Sequence, residues 1–126
     1  MIQDDSLAGV YAEMVAVETE MLAVGRGIKE KSHAVANTTS NYELAKSKEI
    51  LEMFKQEAET GTKRTEAQRT AIYREKFSNL RLAKMIAQAD MDSDRELLKA
   101  LSKKADLLQS RKNILALEYQ NFTGRT

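Results

Sequence analysis

Few residues in this chain of 126 could perform acid–base or metal chemistry. It contains one histidine, His33, and no cysteine. A nucleophile paired with a histidine base, or a thiolate metal site, therefore has little to be built from. His33 lies in a segment without a clear hydrophobic pattern, and no pair of acidic residues is near it in sequence. We expect a solvated imidazole at this position and no enzymatic activity.

The acidic stretch 90–94 places an aspartate at every second position, which is how an EF-hand calcium loop begins. Such a loop also requires glycine at its sixth position and glutamate at its twelfth. Arg95 and Leu101 occupy those positions here, so we expect an acidic cap or helix face instead. Residues 25–27, Gly-Arg-Gly, lack the third glycine and the preceding strand of a nucleotide-binding loop. The sequence predicts no metal and no cofactor.

Basic side chains are concentrated along the chain, although its net charge is only +1. Residues 63–84 contain seven bases and two acids, whereas residues 1–20 contain five acids and no base. Bases of this kind can follow a phosphate backbone while Tyr42 or Tyr73 stacks on a nucleobase. The alternative is an ordinary solvated helix face with ion pairs. The candidate nucleic-acid-binding residues are Lys46, Lys48, Lys63, Arg64, Arg69 and Arg74.

The elements that carry these residues are predicted to be α-helices. The chain has no proline and only five glycines, and 31% of its residues are charged. That composition favours long helices or coiled coil. No stretch approaches the ~20 apolar residues of a membrane span, and the acidic N-terminus is unlike a secretion signal. We expect a soluble, cytoplasmic protein that does not enter a membrane.

Apolar residues in the N-terminal third recur three and four residues apart over three heptads. This spacing buries one narrow stripe of a helix against another helix. We assign to helix packing and self-association Leu7, Val10, Met14, Val17, Met21, Val24 and Ile28. Ser6, with Asp4 and Asp5, supplies candidate N-caps. Gly25 and Gly27 lie off this stripe. They predict a locally less stable stretch of helix rather than a break.

The apolar pattern weakens over residues 31–41. Ser40 and Glu43 have the spacing of a capping box, so a new helix can start there. A second stripe then follows with a shifted phase, as it would after a stutter or a kink. The second stripe consists of Leu44, Leu51, Phe54 and Ala58.

The clearest turn is predicted at residues 60–64. Gly61 suits the left-handed conformation that ends a helix, and Thr65 with Gln68 can form a capping box for the next one. Beyond the turn a single heptad frame consists of Phe77, Leu80, Ala87, Met91, Leu98, Leu101, Ala105, Leu108, Leu115, Tyr119 and Phe122, interrupted by Lys84, Asp94 and Lys112. One helix from about 65 to 120, or two helices separated at 89–94, both fit this frame.

Together these elements predict an all-α fold with one domain, residues 1–126. An N-terminal arm of about 5–59 and a C-terminal arm of about 65–122, joined by the turn at 60–64, form a long antiparallel hairpin of coiled-coil-like helices. The apolar surface of the second arm is widened by Leu97, Leu107, Ile114 and Leu117. A two-helix hairpin has no enclosed core, and assembly into a homo-oligomer covers such surfaces.

The order of these features resembles small helical proteins of phage recombination and replication modules, in particular the UvsY family of recombination mediators. The resemblance spans roughly residues 35–120. It rests on residues 45–48, Ala-Lys-Ser-Lys, the glycine turn, the long helix that follows, and Gln109-Ser110-Arg111 near its end. It implies a ring-like homo-oligomer that binds single-stranded DNA and helps a recombinase to displace single-strand binding protein. Lys46 and Lys48 correspond to the basic pair in the DNA-contacting helix of the family, and Ser110 and Arg111 correspond to the serine–arginine near the end of its last helix. Arg111 therefore joins the candidate nucleic-acid-binding residues.

Two other classes of function stay open. One is a phage-encoded protein-interaction module that inhibits or adapts a host enzyme in the host cytoplasm. The other is a structural coiled-coil scaffold without nucleic-acid binding. Salt-dependent binding to single-stranded DNA separates the first class from both alternatives, because phosphate contacts release counterions.

Overall fold

The computed structural model describes residues 6–123 of the chain, with side chains as far as residue 121. Within that range it contains three helices and no strand: α1 (Leu7–Thr60), α2 (Glu66–Lys76) and α3 (Ser78–Thr123). The prediction of an all-α protein is confirmed. None of these helices, over the described residues, combines the length and hydrophobicity that a bilayer crossing requires. Asp4 and Asp5, the other candidate caps, lie outside the described residues.

Helix α1 begins after Ser6, whose Oγ accepts a hydrogen bond from the backbone N–H of Gly9 at 3.1 Å. The predicted cap at Ser6 is therefore confirmed. The helix then continues without interruption for 54 residues, so a new helix start at Ser40 is wrong. Thr38 shows why the weakly patterned segment stays helical: its Oγ1 donates to the carbonyl of Ala34 at 2.8 Å. That bond satisfies the hydroxyl without breaking the backbone ladder.

The turn after α1 has the predicted left-handed glycine and the predicted capping box. Gly61 has a positive φ of 73°, and its N–H donates to the carbonyl of Glu57 at 2.9 Å. The N–H of Gln68 donates to Thr65 Oγ1 at 3.1 Å, and the N–H of Thr65 donates to Gln68 Oε1 at 2.8 Å. This reciprocal capping box starts α2, so both local predictions are confirmed.

The C-terminal arm consists of two helices, but their junction is not at 89–94. It lies at Phe77, with φ −111° and ψ 30°, whose N–H still bonds to the carbonyl of Tyr73. Ser78 and Asn79, which follow, are weak helix formers. Helix α3 instead runs through the acidic stretch 90–94, where Gln88 Nε2 donates to an aspartate, Asp92 Oδ1, one turn later at 3.0 Å.

Contacts divide the chain into two compact units. Unit 1 comprises Met1–Ile28 and Ser93–Thr126, and unit 2 comprises Lys29–Asp92. In unit 1, Val10, Val17 and Leu108 form the buried centre, and the partly buried residues packed around them are Met14, Met21, Ala105 and Leu115. All seven residues of the N-terminal stripe are buried or half-buried. Their packing partner is α3 of the same chain.

In unit 2 the buried centre is Tyr42, Met53 and Tyr73, with Ile50, Phe77 and Leu80 packed against it. The shifted stripe predicted at Leu44, Leu51, Phe54 and Ala58 is wrong, because all four residues are exposed. The phase of the buried face does move relative to the N-terminal heptads, but onto other residues: the buried positions are Tyr42, Met53 and Glu57, and Thr38 is half-buried. Polar residues occupy part of that face, so hydrophobicity alone indicated another side of the helix.

The heptad frame of the C-terminal arm is largely confirmed. Its residues from Phe77 to Leu115 are buried or half-buried, and so are its polar interruptions Lys84, Asp94 and Lys112. Tyr119 is exposed, and the side chain of Phe122 lies outside the described residues. The long stems of the two lysines allow the charged ends to reach water from a packed position.

Candidate nucleic-acid interface

A groove between α1 and α2 in unit 2 combines aromatic rings with cations. Its lining residues are Lys46, Ile50, Phe54, Glu66, Arg69, Thr70 and Tyr73. Lys46, Ile50 and Phe54 follow one another four residues apart, which places them on one side of α1. Spacings of three and four residues likewise align the residues that α2 contributes. We call this feature the α1–α2 groove.

Arg69 is held in the groove by a buried carboxylate. Its Nε donates to Glu57 Oε2 at 3.2 Å, and its Nη2 donates to Glu57 Oε1 at 2.8 Å. Glu57 is 6% exposed and also accepts the backbone N–H of Arg64 at 2.6 Å. The hydrogen bonds from Arg69 lower the pKa of Glu57, and the same pair raises the pKa of Arg69. A charged bidentate pair of this kind fixes the guanidinium plane.

The guanidinium of Arg69 also covers one face of Phe54. Its Cζ lies 4.4 Å from the centroid of the ring, within the range of a cation–π contact. Phe54 is nevertheless 49% exposed. An apolar ring that is backed by a cation and still open to solvent can stack on another flat group.

Two further cations lie near the hydroxyl of Tyr73. Lys46 Nζ is 5.2 Å from the centroid of the tyrosine ring. A hydrogen bond with Thr70 lowers the pKa of Tyr73, and the positive charges of Lys46 and Arg74 lower it further. The nearest carboxylate oxygen to Lys46 is Glu43 Oε2 at 3.9 Å, one helical turn away, in a long pair between a half-buried lysine and an exposed glutamate. Such a pair leaves the ammonium largely available.

The structure separates the two lysines on which the resemblance rests. Residues two apart on an α-helix point about 200° away from each other. Lys46 accordingly lines the α1–α2 groove, whereas Lys48 lines a different groove beside Leu44 and Phe77. They do not form a local basic pair.

The other predicted residues are also dispersed. Lys63 is exposed in the turn, and Arg64 is half-buried beside Glu57. Arg111 belongs to unit 1, is half-buried and engages a partner there. From the predicted set, the structure thus brings Lys46 and Arg69 into one groove, and Arg74 is exposed next to Tyr73 in the sequence.

Glu57 and Phe54 were not recognised as site residues from the sequence. Glu57 occupies a buried position of the α1 frame, and a carboxylate there requires a cation from the facing helix. Continuing the N-terminal heptads leads to residues 56 and 59, which are both exposed, so that pattern did not indicate Glu57. Phe54 carried no such signal, since its apolar character suggested a packed side chain.

Other chemistry is not assembled in the described part of the chain. His33 is exposed on α1. Over residues 6–121, no three histidine or carboxylate side chains converge on a site suited to a metal ion. No family model, no curated protein and no solved structure matches this chain. Function must therefore be inferred from the groove and from the exposed surfaces.

Proposed function

We propose that this chain is a homo-oligomeric protein that binds single-stranded DNA in the α1–α2 groove. In that role it serves as a recombination mediator in the cytoplasm of a phage host, loading a recombinase in competition with single-strand binding protein. One observation carries the proposal: Lys46 and the exposed ring of Phe54 line the same groove, where Lys46 lies beside Tyr73 and Arg69 covers one face of Phe54. Sites for single strands combine cations for the backbone with rings for the bases. The proposed role is binding without catalysis.

The exposed ring of Phe54 favours a single strand over a duplex, whereas Tyr42 and Tyr73, the stacking rings expected from the sequence, are buried. In a duplex the faces of the bases are stacked on one another and are not accessible to protein rings. A single strand can turn a base toward Phe54 while its phosphates follow Lys46 and Arg74. Binding of this type depends on charge and stacking, so it shows little preference for sequence.

Self-association is supported by a second apolar stripe on α3. Leu107, Ile114 and Leu117 are all exposed, with Leu107 at 70%, and they lie seven and three residues apart on one side of the helix. The stripe from Leu7 to Ile28 is packed inside unit 1, so the proposal places the contact between copies on α3. Repeating the groove in an oligomer raises the effective concentration of sites along a strand.

The antiparallel hairpin is also part of the proposal, and contacts within unit 2 support it. Lys84 Nζ lies 4.0 Å from Glu43 Oε1. Farther along α1, Glu57 pairs with Arg69 at 2.8 Å. The partner's number falls as the number along α1 rises, as it does for helices that run in opposite directions.

A protein-interaction module, such as an inhibitor or adaptor of a host enzyme, is the second candidate. Leu44 and Leu51 favour it, since both are 57% exposed and lie seven residues apart on α1. Phe77 lies beside Leu44 in the neighbouring groove. Apolar residues with this spacing are suited to contact with another helix.

The proposal is tested by the anisotropy of a fluorescein-labelled oligonucleotide titrated with protein at about 50 mM and about 200 mM salt. The wild-type protein should bind at low salt and lose affinity steeply at high salt. Lys46→Ala with Arg74→Ala should weaken binding of every sequence. If each contacts one phosphate, the slope of log affinity against log salt should flatten by roughly 1.4, about 0.7 per contact with a single strand.

Lys103→Ala with Lys104→Ala is the matched control, because both lysines are exposed on α3 of unit 1. This variant should bind like the wild type. Lys48→Ala should have a small effect, since Lys48 lines the other groove. A wild-type protein that binds no single-stranded DNA at low salt would refute the proposal and favour the protein-interaction module.

A further inference from the structure

We infer that Phe54 is the stacking platform for one unpaired nucleobase, with Arg69 supporting the ring from behind. This inference rests on the proposed function, which supplies the strand. It adds a residue that contacts bases rather than phosphates. It identifies the ligand that packs on Phe54, which we call the floor of the groove, as a flat, uncharged aromatic group.

The geometry leaves part of the ring for a ligand. The guanidinium of Arg69 lies 4.4 Å from the ring centroid and occupies one face. Phe54 is still 49% exposed and lines the groove together with Arg69, so the part of the ring that the guanidinium does not cover is open to a ligand. A base that stacks there meets a ring already held in place.

Arg69 is held in place by Glu57, which also balances its charge. Both of its hydrogen bonds to Glu57 must break before the guanidinium can turn toward the solvent. A charged pair with this geometry is costly to separate. Arg69 is therefore a positioning residue that fixes the ring of Phe54.

The charges of the groove also favour a base over a phosphate on the floor. Glu57 balances Arg69, and Glu66, which also lines the groove, adds a second negative charge near Arg69. A phosphate on the floor would therefore gain little net attraction. Arg74 follows Thr70 by one helical turn and lies near Tyr73, so it offers positive charge at the rim. Phosphates along the positively charged rim and a base on the electrically balanced floor fit this distribution of charge.

A tryptophan at position 54 tests the stacking directly. The chain contains no tryptophan, so Phe54→Trp introduces a single indole whose fluorescence is quenched when a base stacks on it. An oligo(dT) strand should quench this emission, and an abasic strand of the same length should not. Leu51→Trp is the matched control, because residue 51 is similarly exposed on α1 and does not line the groove. Its emission should not depend on the presence of bases.

Affinity for the same two strands provides an independent readout. Phe54→Ala and Phe54→Leu should each weaken binding of oligo(dT) about tenfold, within the range found for loss of a stacking side chain. Phe54→Tyr should retain wild-type affinity because it keeps the ring. Leu51→Ala should have no effect, and no variant should alter binding of the abasic strand. Circular dichroism of each variant confirms that the helices are intact.

The outcomes separate this inference from the proposal beneath it. If the abasic strand binds as tightly as oligo(dT), or if Phe54→Ala binds both as the wild type does, stacking at Phe54 is refuted while DNA binding stands. If the Phe54→Trp emission responds to a recombinase but not to oligo(dT), the floor binds a protein side chain and the inference is wrong. If the wild type binds neither strand, the proposed function fails and the inference fails with it.

Discussion

Glu57 and Arg69 are twelve residues apart in sequence and are joined by two hydrogen bonds across the turn. The same carboxylate accepts the N–H of Arg64 within the turn. One side chain near the end of α1 therefore fixes both the path of the connection and the position of α2. Because Arg69 also supports the ring of Phe54, this pair links the stability of unit 2 to the shape of the α1–α2 groove.

The pair predicts a specific dependence of stability on pH. Hydrogen bonds from Arg69 lower the pKa of Glu57 from its usual value of 4.5, so folding favours the charged carboxylate. Its contribution to the free energy of unfolding is complete above about pH 4.5 and is lost as pH falls below that value, through the pKa of the folded state. Glu57→Gln should lower the melting temperature near pH 7. The difference from the wild type should shrink steadily as pH falls toward 3.

Glu52→Gln is the control for this experiment, since Glu52 is exposed on the same helix. Its melting curve should follow that of the wild type at every pH. A constant difference between Glu57→Gln and the wild type across the whole range would show that the ionised pair contributes nothing. Thermal unfolding followed by circular dichroism measures all three proteins.

Gly25 and Gly27, two of the glycines of α1, should respond differently to alanine. A Cβ added at Gly25 meets nothing within 4 Å. Gly25→Ala should therefore stabilise the protein by about 0.5–1 kcal/mol, the usual gain inside a helix. A Cβ added at Gly27 lies 3.2 Å from Asp94 Oδ2. Gly27→Ala should gain less than Gly25→Ala or lose stability, because Asp94 must shift to admit the methyl group.

Urea denaturation of both variants under the same conditions gives the two free energies. Equal stabilisation would contradict the close approach of α3 to α1 at Gly27. The two glycines thus differ in the expected effect of an alanine. The sequence did not indicate this difference, since it predicted only a locally less stable helix at both.

The buried frame of α1 in unit 2 is tested by a pair of neighbouring apolar residues. Met53 is 1% exposed, whereas Leu51 is 57% exposed. Met53→Ala should cost about 2–5 kcal/mol of unfolding free energy, as is typical for large core side chains cut to alanine. Leu51→Ala should change it by about 0.5 kcal/mol or less. Chemical denaturation measures both, and the reverse order would restore the shifted stripe expected from the sequence.

Local signals explain which parts of the fold were predictable. The stripe from Leu7 to Ile28, the left-handed Gly61 and the capping box at Thr65 each depend on residues within a few positions of one another. The stripe after residue 40 was misplaced because Thr38 and Glu57 occupy buried positions while apolar Leu51 does not. There, the facing helix decides which side of α1 is buried.

The candidate site was predictable only in its residue types. Lys46, Arg69 and Arg74 were selected because they are basic. The convergence of Lys46 and Arg69 depends on the register between α1 and α2, which the turn and the Glu57 pair determine. Lys46 and Lys48 appeared to be a pair because they are near in sequence, and the helical period separates them.

The last prediction concerns the surface through which we propose that copies associate. Leu107 and Ile114 are exposed, one heptad apart, on a side of α3 that does not contribute to the core of unit 1. Leu107→Asp with Ile114→Asp should therefore convert the oligomer to a monomer of 14.2 kDa without loss of helix, because charged side chains in a desolvated apolar contact are strongly unfavourable.

Ser102→Asp with Gln109→Asp is the matched control: both residues are exposed on α3, also seven apart, and the pair adds the same two charges. Light scattering during gel filtration should give a mass several times 14.2 kDa for the wild type and for this control.

A monomeric wild type would refute self-association, and a doubly substituted Leu107/Ile114 protein that stays oligomeric would place the contact on another surface. If the monomeric variant also binds long single strands more weakly than the wild type but binds short ones equally well, the oligomer contributes by presenting several grooves to one strand.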